Sequence, residues 1–152
     1  MAEGTLITLS WIILLLPLFS FLLLIFFGRR IGHLTSGIIG TSILGAGLVL
    51  SLISAVVKLT TYGEAGMIQT KFDWFILGNT NITVGIGMDN VTAIMLVIVM
   101  LISFLVHLFS IDYMHGDKYF SRYFAYLGLF SFSMLGIVIA NNFLFMYVFW
   151  EL

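Results

Sequence analysis

Residues 5–27 of this chain carry no charged side chain. A run of that length reaches across a hydrocarbon core of about 30 Å at about 1.5 Å of rise per helical residue. Comparable apolar runs cover 34–57, 89–110 and 123–140, and another starts at 141. Charged residues make up 9% of the 152 residues and apolar ones 61%. A soluble domain carries roughly 25% charged residues, so this chain cannot cover a water-facing surface. In hydrocarbon every backbone group must be satisfied within its own segment, which restricts the spans to helices. The expectation is an all-α integral membrane protein with four complete spans, about 5–27, 34–57, 89–110 and 123–140, all within one polytopic domain. A fifth run, 141–152, reaches only about 18 Å, and is expected to be truncated because the sequence is a piece of a longer subunit.

The N-terminus "MAEGTL" lacks the basic residues of a signal peptide, and the apolar run behind it is longer than a signal core; it reads as a retained first span. Pro17 lies inside that span, where membrane helices tolerate it, and marks a kink point. Gly37, Thr41 and Gly45 recur every four residues in the second span, a small-residue stripe for close helix packing. Gly128, Ser131 and Gly136 serve as packing positions in the fourth.

Residues 58–88 break the pattern, with Lys58, Glu64, Lys71 and Asp73. In "KFDWFIL" Phe72, Trp74 and Ile76 alternate with their neighbours, and in "ITVGIGMD" so do Ile82, Val84, Ile86 and Met88. Period-two alternation on both sides of "GNTN" predicts a β-hairpin between the second and third helices. An open sheet edge is not stable in hydrocarbon, so the hairpin is expected outside the membrane. Asp89 or Asn90 is placed to cap the third helix.

The connections "GRRIGH" and "IDYMHGDKYFSR" read as short polar loops, with Arg29 and Arg30 in one and Lys118 and Arg122 in the other. Only Lys58 and Lys71 face them from the opposite side. Basic loops stay in the cytoplasm, which puts the N-terminus and the hairpin outside. A net charge of −1 offers nothing to nucleic acid, and the absence of cysteine removes disulfides and thiolate metal sites.

One carboxylate is out of place. Glu151 lies ten residues beyond Asn141, about 15 Å deep and near the middle of the core. An ionisable group at that depth costs about 2.5–3.5 kcal/mol on insertion scales, and usually marks an ion or proton path. Burial disfavours the charged form of a carboxyl and a nearby lysine restores it, so a group moved between those surroundings takes up and releases a proton. The apolar interior of this chain holds no other acid and no lysine, so the partner is expected from elsewhere. The structural alternative is a permanently protonated carboxyl. Tyr147, four residues earlier, shares its helix face and either bonds it or packs. His107 sits near the cytoplasmic end of the third span, as a relay or as a structural group. Trp150 reads as packing. His33, His115, Asp112 and Asp117 fall in loops and read as solvated. The three histidines lack metal-ligand spacing, and no phosphate loop, nucleophile triad or cofactor fingerprint is present.

From Asp89 to Leu152 the sequence resembles the antiporter-like subunit L family of NADH–quinone oxidoreductase, respiratory complex I. The resemblance rests on an Asp-led third helix, "LVHLFSIDYMHGD", "YFSRYFAYLGLF" and "NNFLFMYVFWEL". It implies that Glu151 is the membrane-embedded acid of the fifth helix, paired with a lysine on a later, broken helix. Asp89 and His107 match the family's third-helix Asp and His, while Asn141 stands where the family often has an acid. It implies proton translocation coupled to quinone reduction, with no redox site and no catalytic, cofactor-binding or metal-binding residue on this chain. NADH, FMN, iron–sulfur clusters and quinone belong to other parts of the complex, and the partners are other membrane-arm subunits and the bilayer. The location implied is the bacterial inner membrane, with the mitochondrial inner membrane as the alternative. Large subunits of multi-subunit sodium/proton antiporters share most of these motifs, and a purely structural scaffold is the third reading.

Overall fold

The computed structural model describes residues 2–63, 66–77 and 80–152. Their elements follow in the order α1 (Ala2–Ile31), α2 (His33–Thr61), β1 (Ile68–Leu77), β2 (Thr80–Met88), α3 (Asn90–Tyr113), α4 (Phe120–Ile139) and α5 (Phe143–Glu151). Helices α1 to α4 are each long and apolar enough to cross a membrane. At nine residues, α5 is not. The four long helices form a ring in which α1 packs on α2 and α4, and α3 closes the other side. Helix α5 lies against α4.

The first connection is tighter than a polar loop. Helix α1 continues through Arg29 and Arg30, which occupy its last turn. Gly32 alone separates α1 from α2, with φ of 96°. That conformation is open to glycine and strained for other residues, so one glycine makes the whole turn. Its neighbour Gly28 allows close approach, because a Cβ there would lie 2.8 Å from the Ser121 Cβ. The Ser121 hydroxyl donates to the Gly28 carbonyl at 3.2 Å and to the Ser36 Oγ at 3.0 Å. Ser36 in turn donates to the Gly32 carbonyl at 2.7 Å. This clasp fastens the end of α1 to the starts of α2 and α4.

Between lipid-exposed helices no hydrophobic gain drives association, so small residues that admit close van der Waals packing carry it. The predicted stripe is present: Gly37 faces Phe120 and Ile111, and Gly45 faces Phe104. A second line on α2 is more deeply buried: Ser36, Gly40, Leu44, Gly47, Ser51, Ser54 and Lys58, at steps of three and four residues. Its Gly47 receives the Met100 methyl, and Gly40 faces Leu24, Phe124 and His107. On α4, Gly128 passes the α1 backbone at Pro17, where a Cβ would stand 3.1 Å from the Pro17 carbonyl oxygen. Large apolar side chains such as Phe19, Phe26, Val49, Ile102 and Phe130 point outward from the ring, as lipid-facing positions do.

The hairpin forms between α2 and α3. Its antiparallel register pairs Ile68 with Met88, Thr70 with Ile86 and Phe72 with Val84, and it shifts between Asp73 and Phe75. Gly78 and Asn79 of the expected turn, and Glu64 before the hairpin, lie outside the described residues. Ile68, Ile86 and Met88 are buried together with Leu6 and Ile139, so this end of the hairpin caps the bundle where α1 begins and α4 ends. An isolated bridge between Ile86 and Ala140 ties it to the end of α4. The distal residues Phe72, Trp74 and Ile76 are exposed, and Phe72 and Trp74 border a groove with Phe145 and Val148 of α5.

Gly85 is needed where the hairpin meets the bundle. A Cβ there would fall on the Thr70 carbonyl oxygen and within 2.8 Å of the Asn141 Nδ2. Gly85→Val is expected to part the strands and cost about 1–3 kcal/mol, the usual range for overpacking. Amide hydrogen exchange would show it as faster exchange across 68–76; unchanged protection would contradict the close approach.

Candidate functional site

Helix α5 is built from the hairpin outward. The Asn141 N–H donates to the Gly85 carbonyl at 3.3 Å. The Asn142 side chain donates to the Thr83 carbonyl and accepts the Phe145 N–H at 2.8 Å, which caps α5. Asn141 and Asn142 therefore fix the direction of α5 as well as turning the chain. Phe149, the buried residue of α5, lies on Gly136 and makes edge contacts with Phe132 and Phe145 at 5.4 and 4.8 Å between ring centroids. No side chain larger than glycine fits at 136 without displacing Phe149.

With Phe149 turned inward, Tyr147 and Glu151 sit on the open face of α5. Both are exposed, and Glu151 lies one turn beyond Tyr147 on the same helix face. From Asn142 to Glu151 the helix advances about 14 Å from the hairpin end, roughly half the thickness of a hydrocarbon core. Trp150 differs from its expected packing role. It is 72% exposed and borders the grooves on both sides of α5. The helix rotation that buries Phe149 turns Trp150 out.

His107 also differs from expectation. It keeps its place late in α3 but is wholly buried inside the ring. Its Nδ1 lies 2.8 Å from the Ser103 carbonyl, and a carbonyl only accepts, so Nδ1 carries the hydrogen and Nε2 is left as an acceptor. Phe124 meets the ring edge-on at 5.6 Å, and Gly40 leaves room for it on α2. The His107 Nε2, the Thr41 Oγ1 and the Ser20 Oγ have no hydrogen-bond partner among the described residues. One turn beyond His107, Ser110 and Tyr123 share a hydrogen bond of 3.2 Å. Helix α5 packs on α4 rather than α3, so Glu151 stands on the open face of α5 while His107 lies inside the ring.

Asp89 caps α3 through an Oδ1 that accepts the Thr92 N–H at 2.7 Å. That bond, chiefly, holds its carboxyl below the usual Asp range, with burial opposing and Lys58 adding a small favourable charge. A depressed folded-state value means the cap's contribution is complete above the unfolded-state value near 3.9 and fades only as pH falls through the lower folded-state value. The Thr92 amide is expected to keep its exchange protection at pH 4.5 and to lose it in Asp89→Ala, with a loss of about 1 kcal/mol. Protection that survives the Ala substitution would sink this assignment.

The sequence pattern places Lys58 in the hairpin segment and no lysine in the apolar interior. Lys58 instead belongs to the last turn of α2 and is 0% exposed. Its Nζ donates to the Tyr62 carbonyl at 2.9 Å and the Gly66 carbonyl at 3.3 Å. The signal was present in the spacing: Ser51, Ser54 and Lys58 continue the buried line of α2. Among the described residues no group of three His, Cys, Asp or Glu side chains is arranged to hold a metal ion.

Residues 74–124 match the family model described as the N-terminus of chain 5 of NADH-ubiquinone oxidoreductase (complex I). NADH-quinone oxidoreductase subunit L of Neisseria meningitidis serogroup A is 37% identical over 150 residues, which is 95% of this chain and 21% of that protein. The subunit L of Escherichia coli K12 is 37% identical over 91% of this chain and 22% of its own length. NADH-ubiquinone oxidoreductase chain 5 of Cryphonectria parasitica is likewise 37% identical, over 91% of this chain and 21% of its own. The chain thus spans about a fifth of the length of these relatives.

Proposed function

Since the chain belongs to the subunit L/chain 5 family of NADH–quinone oxidoreductase, we propose that it handles protons in the membrane arm of such a complex, with Glu151 as the central group. The observation that carries this reading is the placement of Glu151. A carboxylate stands roughly halfway along the membrane axis, on a helix face that this chain leaves open, with the Tyr147 hydroxyl beside it. An acid at that depth is costly unless it pairs or takes a proton.

In the mechanism, Glu151 holds a proton while its surroundings are apolar. It releases the proton when a lysine on a helix packed against the open face of α5 brings a positive charge close. Tyr147 steadies the ionised form by donating to it. His107, with Nε2 free as an acceptor inside the ring, is a secondary proton-handling group. Asp89 holds the start of α3 in place. NADH, FMN, iron–sulfur clusters and quinone act on other subunits of the complex, and their redox change reaches this chain as a shift in charge and packing. The membrane is the bacterial or mitochondrial inner membrane. The N-terminus and hairpin face outward, because Arg29, Arg30, Lys118 and Arg122 gather at the other end.

The test is infrared difference spectroscopy of the complex during NADH-driven turnover. A carboxyl band that shifts during turnover, and is missing in Glu151→Gln, is expected. A band that never moves between pH 5 and 9 or during turnover would mean a structural scaffold. Sodium-dependent proton exchange without NADH oxidation would place the chain with the antiporters instead.

A further inference from the structure

We propose that the basic end of the bundle holds a binding pocket for the headgroup phosphate of an anionic phospholipid. Where α1 ends and α2 and α4 begin, Arg29, His33, Lys118, Tyr119, Ser121 and Arg122 line a pocket of about 300 Å³. That is the low end of the range for ligand pockets, large enough for a headgroup while the acyl chains remain outside. Two guanidinium groups, an ammonium and an imidazole meet there from the α1–α2 junction and from the start of α4 with the turn before it, two segments distant in sequence. Lys118 and Arg122 both stand over the Tyr119 ring, at 4.9 and 5.6 Å from its centroid. The nearby acid, Asp117, is engaged by the Tyr119 N–H at 2.6 Å.

Backbone electrostatics act in the same sense. Neither α2 nor α4 has a side-chain cap at its N-terminus. Their first-turn N–H groups therefore add partial positive charge where the pocket is lined. The floor is rigid, since the Ser36–Ser121–Gly28 clasp lies directly beneath.

The depth of the pocket singles out a lipid over a soluble anion. Exposed Phe26, Phe27, Phe109, Tyr113 and Tyr119 surround this end of the bundle. Tyrosines collect at the headgroup level of a bilayer, and Tyr113 and Tyr119 mark that level here. A basic pocket between helix ends at that level, with exposed Phe26 and Leu34 below it for acyl chains, matches a phosphate that enters from the bilayer.

The experiment uses the membrane complex that contains this chain, reconstituted in phosphatidylcholine vesicles. Spin-labelled phosphatidylglycerol and spin-labelled phosphatidylcholine are compared for their motionally restricted fraction. Other surfaces of the complex also restrict lipid, so the readout is the difference between wild type and R29Q/K118Q/R122Q. The triple variant is expected to lose roughly a fivefold preference for phosphatidylglycerol that the wild type shows. A triple variant with the wild-type preference overturns the proposal. Inorganic phosphate at roughly 10 mM is expected to leave the preference unchanged, as screening at that concentration is weak. Displacement by it would assign the pocket to a soluble anion and overturn the lipid assignment. A photoreactive phosphatidylglycerol supplies a readout that needs no variant. Its crosslinks are expected on residues 29–33 and 118–122, and crosslinks confined to other surfaces overturn the proposal.

Discussion

Proton translocation per electron is expected to fall sharply when Glu151 is replaced by glutamine in the assembled complex, with insertion and assembly retained. This outcome is expected because Gln keeps the size and hydrogen-bonding reach of Glu but can neither lose nor gain a proton. Removal of the charge also lifts the insertion cost of about 2.5–3.5 kcal/mol, so impaired assembly is not expected to explain the loss. Glu151→Asp keeps the proton chemistry on a shorter arm and is expected to retain part of the activity. Tyr147→Phe removes the proposed donor to Glu151, a hydrogen bond of about 0.5–1.5 kcal/mol, and is expected to slow translocation without abolishing it. Proton uptake into inverted vesicles, normalised to NADH oxidised, measures all three. Unchanged stoichiometry in Glu151→Gln would mean that the acid of α5 is not on the proton path.

The second large effect is expected at Lys58, and on stability. Lys58→Met preserves an unbranched apolar stem and removes the donor to the Tyr62 and Gly66 carbonyls. A buried acceptor left unsatisfied costs about 1–3 kcal/mol. Both bonds are only part-buried, so about 2 kcal/mol in total is expected. The loss is local to the junction of α2 with the hairpin. Lys71 on β1 should therefore become a faster trypsin site, and the thermal midpoint in detergent should fall. Lys58→Arg is not expected to rescue, because a fully buried site shaped for an ammonium leaves no room for the guanidinium fork. An unchanged midpoint together with unchanged cleavage at Lys71 would show that the buried ammonium is not what holds the junction.

Composition and period were enough to read the helices, the hairpin and the odd acid. Four apolar runs of spanning length admit no other backbone solution in hydrocarbon, and period-two alternation on both sides of "GNTN" distinguishes strands from helix. The surroundings of individual side chains were less legible. Lys58 reads as a loop charge because it follows the apolar run, although its spacing from Ser51 and Ser54 continues the buried line of α2, which runs to Thr61. His107 reads as interfacial from its distance along α3, yet Gly40 and Phe124 on two other helices enclose it. Trp150 points outward because Phe149 claims the glycine at 136.

By itself the sequence determined that this chain crosses a membrane with helices, folds a hairpin between the second and third, and carries a carboxylate about 15 Å from the start of the fifth apolar run. Those features depend on local period and on the cost of unsatisfied backbone in lipid, which act within a segment. Only the tertiary structure decided which face of each helix is inside. It put Lys58 and His107 in the interior, left Tyr147 and Glu151 on an open face, and gathered Arg29, His33, Lys118 and Arg122 around one pocket. Those outcomes depend on which small residues let two helices approach and which large side chain fills the gap, a property of pairs of segments distant in the chain.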